Sequence, residues 1–443
     1  MRAHIEGSGS PATTRVASHA STKTRHRSKP RLRSHASTKA RSASCLLVCV
    51  VLLLGCELRE LEVLSTTGDA GRRDAGLDAT VNDATSDVGD GSAGVNVQSP
   101  LAASDHHACA IFDEELACWG ANDRGQLAHV DARRLVPTPL ALATTPIAVS
   151  LGARSTCALD VAGEVRCVGA NDRGQLGVGD ADDRTTASPV PLVSAARALS
   201  AGAAHVCALL VDDRMFCWGR NDEGQLGIEP LDFGDQPLPV AVATDAAWRS
   251  VSAGQGHTLA VTRQGVLLGW GRNSDDQLGL GPEAPIQRRT PTQIGDDTWI
   301  EAAAGQSHSC ALDSERRAAC FGTNGSAQLG LGDLGDRAVP TSLALEGVDA
   351  VATNTFHGCA LVAGELFCWG RNVEGQLGTG DTEDRLVPTR VGADADWTHV
   401  ATGRFFTCAR KRDGRVFCTG ANEEGQLGTG DTERRRELTA IAR

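Results

Sequence analysis

Seven times along this chain the tetrapeptide Gly-Gln-Leu-Gly, or a near copy of it, returns, with its glutamines at Gln126, Gln175, Gln225, Gln277, Gln328, Gln376 and Gln426. Successive gaps are 49, 50, 52, 51, 48 and 50 residues. A unit of that length cannot bury an apolar face alone and must stack on its copies, so the period predicts a single repeat array. A residue present in most copies is then expected to serve the architecture. Chemistry is to be sought where one copy departs from the others.

The unit is clearest in the sixth copy, Cys359-Ala-Leu-Val-Ala-Gly-Glu-Leu-Phe-Cys368-Trp-Gly-Arg-Asn372-Val-Glu-Gly375-Gln-Leu-Gly378-Thr-Gly-Asp381, with a tail Arg385-Leu-Val-Pro388. Alternating stretches such as Trp397-Thr-His-Val-Ala-Thr-Gly403 stand upstream of each copy. Four short runs punctuated by Gly, Asn, Asp and Pro read as four strands, the size of one propeller blade, and no stretch has capped helical periodicity. Fifty glycines and no tyrosine suit short strands joined by tight turns.

Asn122, Asn171, Asn221, Asn273, Asn324, Asn372 and Asn422 hold one slot in all seven copies, where tolerance of left-handed backbone and local side-chain bonding would favour asparagine. His107, His205, His257, His308 and His357 stand two residues before the first cysteine position. A metal would require several imidazoles about 2 Å from one ion, and equivalent positions on different blades lie far apart, so these are expected to be buried structural histidines. The Gly-rich stretch lacks the Lys-Ser/Thr ending of a phosphate loop. No metal, no cofactor and no catalytic residue is expected.

Together, the His-Thr/Ser-Cys-Ala-Leu segment, Cys-Trp-Gly-x-Asn-x-x-Gly-Gln-Leu-Gly-x-Gly-Asp and the Arg-x-x-Pro tail closely resemble the regulator-of-chromosome-condensation repeat family over residues 96–443. The resemblance implies an all-β, seven-bladed β-propeller across residues 95–443, a rigid disk that grips a protein partner with its face loops. Three copies depart from the pattern: Ala128 follows Leu127, while Asp276 and Ala327 precede Gln277 and Gln328 where glycine is usual.

Of fifteen cysteines, twelve form local pairs: Cys109 with Cys118, Cys157 with Cys167, Cys207 with Cys217, Cys310 with Cys320, Cys359 with Cys368, and Cys408 with Cys418. The fourth copy has neither member, with Leu259 and Gly269 in the two slots. Joint presence or joint absence is what a bond between the two produces. The spacing suits two facing strands within disulfide reach. The alternatives are free buried thiols or zinc, the latter disfavoured by two thiols per blade and no Cys-x-x-Cys.

Ahead of the array lie two segments of different character. Residues 1–44 carry ten Lys/Arg and one Glu, and lead into the ten apolar residues 45–54, too few to span a bilayer but suited to a secretion signal. Leu53-Leu54-Gly55-Cys56 resembles the lipobox of bacterial lipoproteins, which implies cleavage before Cys56 and lipid attachment to it. An ordinary signal peptide or an uncleaved anchor are the alternatives. The long basic stretch places the expected start codon downstream of Met1. Residues 56–94, with Asp69, Asp74, Asp78, Asp83, Asp87 and Asp90 among Ala, Gly, Thr and Ser, read as a disordered tether.

Net charge is −12, with the array itself near −15. That field repels phosphate backbones, so nucleic acid is not an expected partner. These features predict a monomeric, exported, non-catalytic propeller, anchored at Cys56 in a bacterial cell envelope and binding a protein or surface polymer. Contact is expected through the irregular loops 229–237 and 282–289. The alternatives, drawn from the family resemblance, are guanine-nucleotide exchange and inhibitor-type binding of an enzyme.

Overall fold

A computed structural model describes residues 99–228 and 234–442. The signal segment 1–55, Cys56 and the tether 56–94 lie outside the described residues. What is described is strand and turn: 28 strands in seven four-stranded antiparallel sheets, each built from four consecutive strands. The blades span residues 101–139, 146–189, 196–241, 248–293, 299–342, 348–390 and 397–440. This is a seven-bladed propeller.

Within blade 6 the order is Val348–Thr353, His357–Val362, Glu365–Gly370 and Arg385–Arg390, and burial falls outward along it. The first strands of all blades surround an axial cavity of about 290 Å³. The second strands are buried on both faces because each blade is sandwiched between two others. The fourth strands form the outer rim and are half exposed. Six of the seven carry proline, which removes a donor from an otherwise pairable edge; Arg435–Ala440 is the exception.

The core consists of apolar layers between blades. Leu159, Leu176 and Val165 of blade 2 pack on Leu199, Val206 and Trp218 of blade 3. Phe406, Val416 and Leu427 of blade 7 pack in the same way on Leu101, Ala108 and Trp119 of blade 1. The ring therefore closes by repeating its ordinary interface, with no strand exchanged between first and last blades.

Gly-Gln-Leu-Gly is the buckle between neighbours. Trp218 Nε1 donates to the Gln175 carbonyl of the preceding blade at 3.1 Å, and Trp270, Trp369 and Trp119 do the same to Gln225, Gln328 and Gln426 at 2.9 Å. The leucine is buried, and the last glycine lies flat on the next blade's ring. A Cβ at Gly177 would fall 2.6 Å from Trp218 Nε1, and one at Gly330 2.7 Å from Trp369 Cδ1. Ala128 is tolerated because blade 2 offers Val168 in place of tryptophan, and the two pack in one layer. A few residues on, Gly332, Gly380 and Gly430 each donate a backbone N–H to the outer strand of the next blade, at Leu386, Arg436 and Leu135.

Candidate interaction face

The repeated polar side chains are consumed by the framework. In all seven copies the asparagine Oδ1 accepts the N–H of the leucine five residues on. The glutamine Oε1 accepts the N–H two residues before it, again in all seven. None of these asparagines has positive φ. Asparagine is thus needed for a side-chain bond reaching five residues, and the expectation of left-handed backbone at that slot is corrected.

The histidines complete the buckle. His205 Nε2 donates to Thr258 Oγ1 of the next blade at 2.9 Å, and that hydroxyl donates to the Gln225 carbonyl at 2.8 Å. His257–Ser309–Gln277 and His357–Thr407–Gln376 repeat the chain. Because the hydroxyl proton goes to the carbonyl, the imidazole must be the neutral Nε2–H tautomer. Burial pushes all five histidines down to about 3, which keeps them uncharged. His107 bonds Thr156 and His308 bonds Thr353, so each imidazole engages a different neighbour.

The twelve array cysteines meet across the second and third strands of six blades. Cys109 faces Cys118 in blade 1, Cys157 faces Cys167 in blade 2, and Cys207 faces Cys217 in blade 3. Cys310 faces Cys320 in blade 5, Cys359 faces Cys368 in blade 6, and Cys408 faces Cys418 in blade 7. In each pair the Cα atoms are 4.0–4.1 Å apart and the Sγ atoms 2.04–2.16 Å apart, a placement compatible with a disulfide. All six pairs stay within one blade, and a bond in each would close a loop of only nine or ten residues. In blade 4 the facing pair is Leu259 and Gly269. A Cβ on Gly269 would lie 3.1 Å from Leu259 Cδ2, so one large side chain fills the space of two small ones.

With the repeats accounted for, attention falls on residues that differ between blades. In each blade the turn joining strands one and two shares an end of the disk with the loop joining strands three and four, and these turns ring the cavity mouth. Most blades place small or polar residues there. Blades 6 and 7 place Phe356 and Phe405, half-buried and stacked across the blade boundary with centroids 5.1 Å apart and planes 20° from parallel. Arg371 lies over both rings at 5.2 and 5.9 Å, and Arg404 over Phe405 at 5.3 Å. Nearby, burial raises the Asp105 carboxyl above its usual range, while His106, Arg404 and Arg154 oppose the shift.

Sequence reasoning missed this cluster, although its signal was available: both phenylalanines occupy the slot held by His106, Arg154, Ala204, Gly256 and Ser307 elsewhere. Of the two loops expected to bind, 282–289 and the described residues 234–237 border the same end of the disk. Residues 229–233 lie outside the described residues, and Asp235 is spent on the Asn221 N–H and on Arg173. In loop 282–289 the backbone is tied by Asn273, whose N–H and Nδ2 donate to the Ile286 and Pro285 carbonyls, while the Ile286 side chain is 71% exposed. One further unrepeated group is Glu301, in the first strand of blade 5, whose carboxyl burial pushes up to about 7. Among the described residues, no three His, Cys, Asp or Glu side chains are grouped to hold a metal.

Comparison with known proteins agrees with this architecture. Residues 64–357 match the RCC1-like domain, and residues 363–410 and 397–426 each match a regulator of chromosome condensation (RCC1) repeat. A stretch of 98 residues is 40% identical to the probable E3 ubiquitin-protein ligase HERC3 of Homo sapiens, covering 21% of this chain and 9% of that protein. Over 125 residues it is 34% identical to the ultraviolet-B receptor UVR8 of Arabidopsis thaliana, covering 27% and 28%. The chain thus spans less than a third of the length of these curated relatives. Among solved structures, Prp20p of Saccharomyces cerevisiae superposes with a TM-score of 0.69 at 22% identity, covering 79% of this chain and 89% of that one. Human WBSCR16 gives 0.66 at 22%, covering 74% and 94%. Both likenesses show the fold.

Proposed function

The chain belongs to the RCC1-like domain family, and from that premise we propose that it is a non-catalytic binding disk, held in a bacterial cell envelope by lipid on Cys56 and engaging a protein partner with one face. One observation carries the reading. The repeated Asn, Gln and His side chains are committed to holding the ring, whereas stacked Phe356 and Phe405 with Arg371 form an unrepeated aromatic and cationic cluster at the end of the disk where the first-to-second strand turns ring the cavity mouth. A rigid scaffold with a non-repeating face suits recognition, because a surface held in place loses little conformational freedom on binding.

The solved structure of Prp20p was described together with that protein's binding to Gsp1p and histones, so this fold presents faces to protein partners elsewhere. For this chain, the lipobox-like Leu53-Leu54-Gly55-Cys56 supports an exported site of action. The facing cysteine pairs support it too, since structural disulfides persist in oxidising compartments. A monomer at the membrane surface, reaching out on the Asp-rich stretch 56–94, is the arrangement proposed. A surface polymer is the second partner class.

The test has two arms. Labelling with a fatty-acid analogue should mark the wild type and leave Cys56→Ser unmarked; two acyl chains are needed for stable anchoring, so Cys56→Ser should also leave the membrane fraction. Affinity capture from intact envelope should recover a defined protein. Equal labelling of both forms removes the anchor, and an empty capture removes the binding role.

A further inference from the structure

We propose that Phe356, Phe405, Arg371 and Arg404 form the anchor of the binding face, and that they receive a partner segment carrying a carboxylate beside an aromatic side chain. This rests on the binding role proposed above and names the chemistry of the partner.

Arg220 and Arg272 occupy the slot of Arg371 in blades 3 and 4, and each is paired with an acid a few residues on, Asp222 and Asp275, at 2.6 Å. In blade 6 the residue two positions after Arg371 is Val373, which is 38% exposed, and the following Glu374 is held by Arg434 at 3.0 Å. Arg371 therefore has its cation on two phenyl rings and, among the described residues, no carboxylate within ion-pair distance. Arg404 is alike: it lies on Phe405, and its buried Nε has no hydrogen-bond partner. The neighbouring acid, Asp105, is drawn toward the neutral form by burial.

Stacked on the rings, neither guanidinium has an ion-paired carboxylate on its terminal Nη groups among the described residues, and a carboxylate is the group a planar fork fits. Half-buried phenylalanines beside them offer apolar area to a ring, and aromatic residues with arginine are the composition of interface hot spots. The stacked pair also straddles blades 6 and 7, so it is held by two rigid elements. Nothing in the framework needs these rings, since five other blades manage without them.

A second copy of the chain is a poorer fit, because two bodies of net charge −12 repel. Single-stranded nucleic acid could stack on the rings, but it brings a charge with every nucleotide into that field, whereas a single carboxylate meets Arg371 and Arg404 locally. Both are outcomes of the test.

The probe is a fluorescein-labelled peptide, Gly-Ser-Asp-Trp-Glu-Phe-Ser-Gly, titrated by anisotropy against the full chain. Controls are the peptide with lysine in place of both acids and an oligothymidylate. The acidic peptide should bind, and R371A/R404A and F356A/F405A should each weaken it at least tenfold. R371K/R404K, which keeps charge and loses the fork, should fall between. Melting temperatures of the arginine variants should match wild type, which guards against loss of fold. Absent binding, equal binding by all variants, preference for the lysine peptide or the oligothymidylate, or a sedimenting dimer dissolved by R371A/R404A would each overturn the anchor. The two proposals separate in the envelope capture. Capture that survives R371A/R404A removes only the anchor, whereas capture absent from wild type removes the binding role.

Discussion

Asp276 shows what single residues contribute to this ring. It holds φ of 56° at a slot where most copies place glycine, and its carboxyl is raised by burial and by Asp336 and Asp275. Asp276→Gly should therefore stabilise the domain by about 1 kcal/mol, read as a higher urea midpoint, since relief of left-handed strain and charge outweighs the added freedom of the unfolded chain. An unchanged or lower midpoint contradicts that balance. The histidines set the response to acid. Each has a folded pKa of about 3 against about 6.5 when unfolded, so their contribution is full above pH 6.5 and is lost as pH falls toward 3. The loss is on the order of 1 kcal/mol per pH unit for each. Glu301, raised to about 7, acts in the opposite sense, contributing below its unfolded value of 4.5 and losing that contribution as pH rises through 7. Five imidazoles outweigh one carboxyl, so urea unfolding should be easier at pH 5 than at pH 7. His257→Gln should narrow the gap by about one proton's worth; an equal gap in both proteins would show that His257 is not held neutral. The six cysteine pairs make a chemical prediction. Alkylation of exported protein under denaturing, non-reducing conditions should modify no cysteine between 109 and 418, and two or more reactive thiols would show that the pairs are reduced.

At the scale of the element, the buckle between blades couples residues far apart in sequence. Ala128 replaces the flat glycine only where the facing residue is Val168 and not a tryptophan. Val168→Trp alone should destabilise by about 2 kcal/mol through overpacking, and Ala128→Gly with Val168→Trp should recover most of it. A purely additive double mutant would mean that the two do not meet. This coupling also shows what the sequence conveys and what it withholds. Strand number, blade size and the facing of Cys207 with Cys217 were readable, because period, turn residues and joint loss of a pair are local facts. The partner of each glycine, the Trp218–Gln175 bond and the five-residue reach of Asn171 were not, since they depend on how one blade lies on the next or on how a turn folds back. Phe356 and Phe405 were overlooked for a related reason. Attention to what repeats hides what does not, and the stacking of the two rings appears only when blades 6 and 7 are side by side.

For the whole molecule, closure and use are separate questions. Leu101–Ala103 and Arg435–Ala440 lie in neighbouring blades, and the seam between them is the ordinary interface, with Trp119 on Gln426 and Gly430 on Leu135. Deleting residues 437–443 removes Leu438 from the layer between blades 6 and 7 and Ile441 from the layer at the seam. It should lower the melting temperature by at least about 5 °C or make the domain insoluble; a melting temperature within a degree of wild type would show that the last strand does not hold the ring. The central claim is that repeated residues build the disk while unrepeated ones at one end of it bind. Hydrogen exchange of the full chain, with and without the protein captured from envelope, tests this most directly. The account predicts slowed exchange at residues 354–356, 371–374 and 403–406, with turns 161–164 and 211–214 at the opposite end unchanged. Protection of those opposite turns, with 354–356 and 403–406 unaffected, would contradict it.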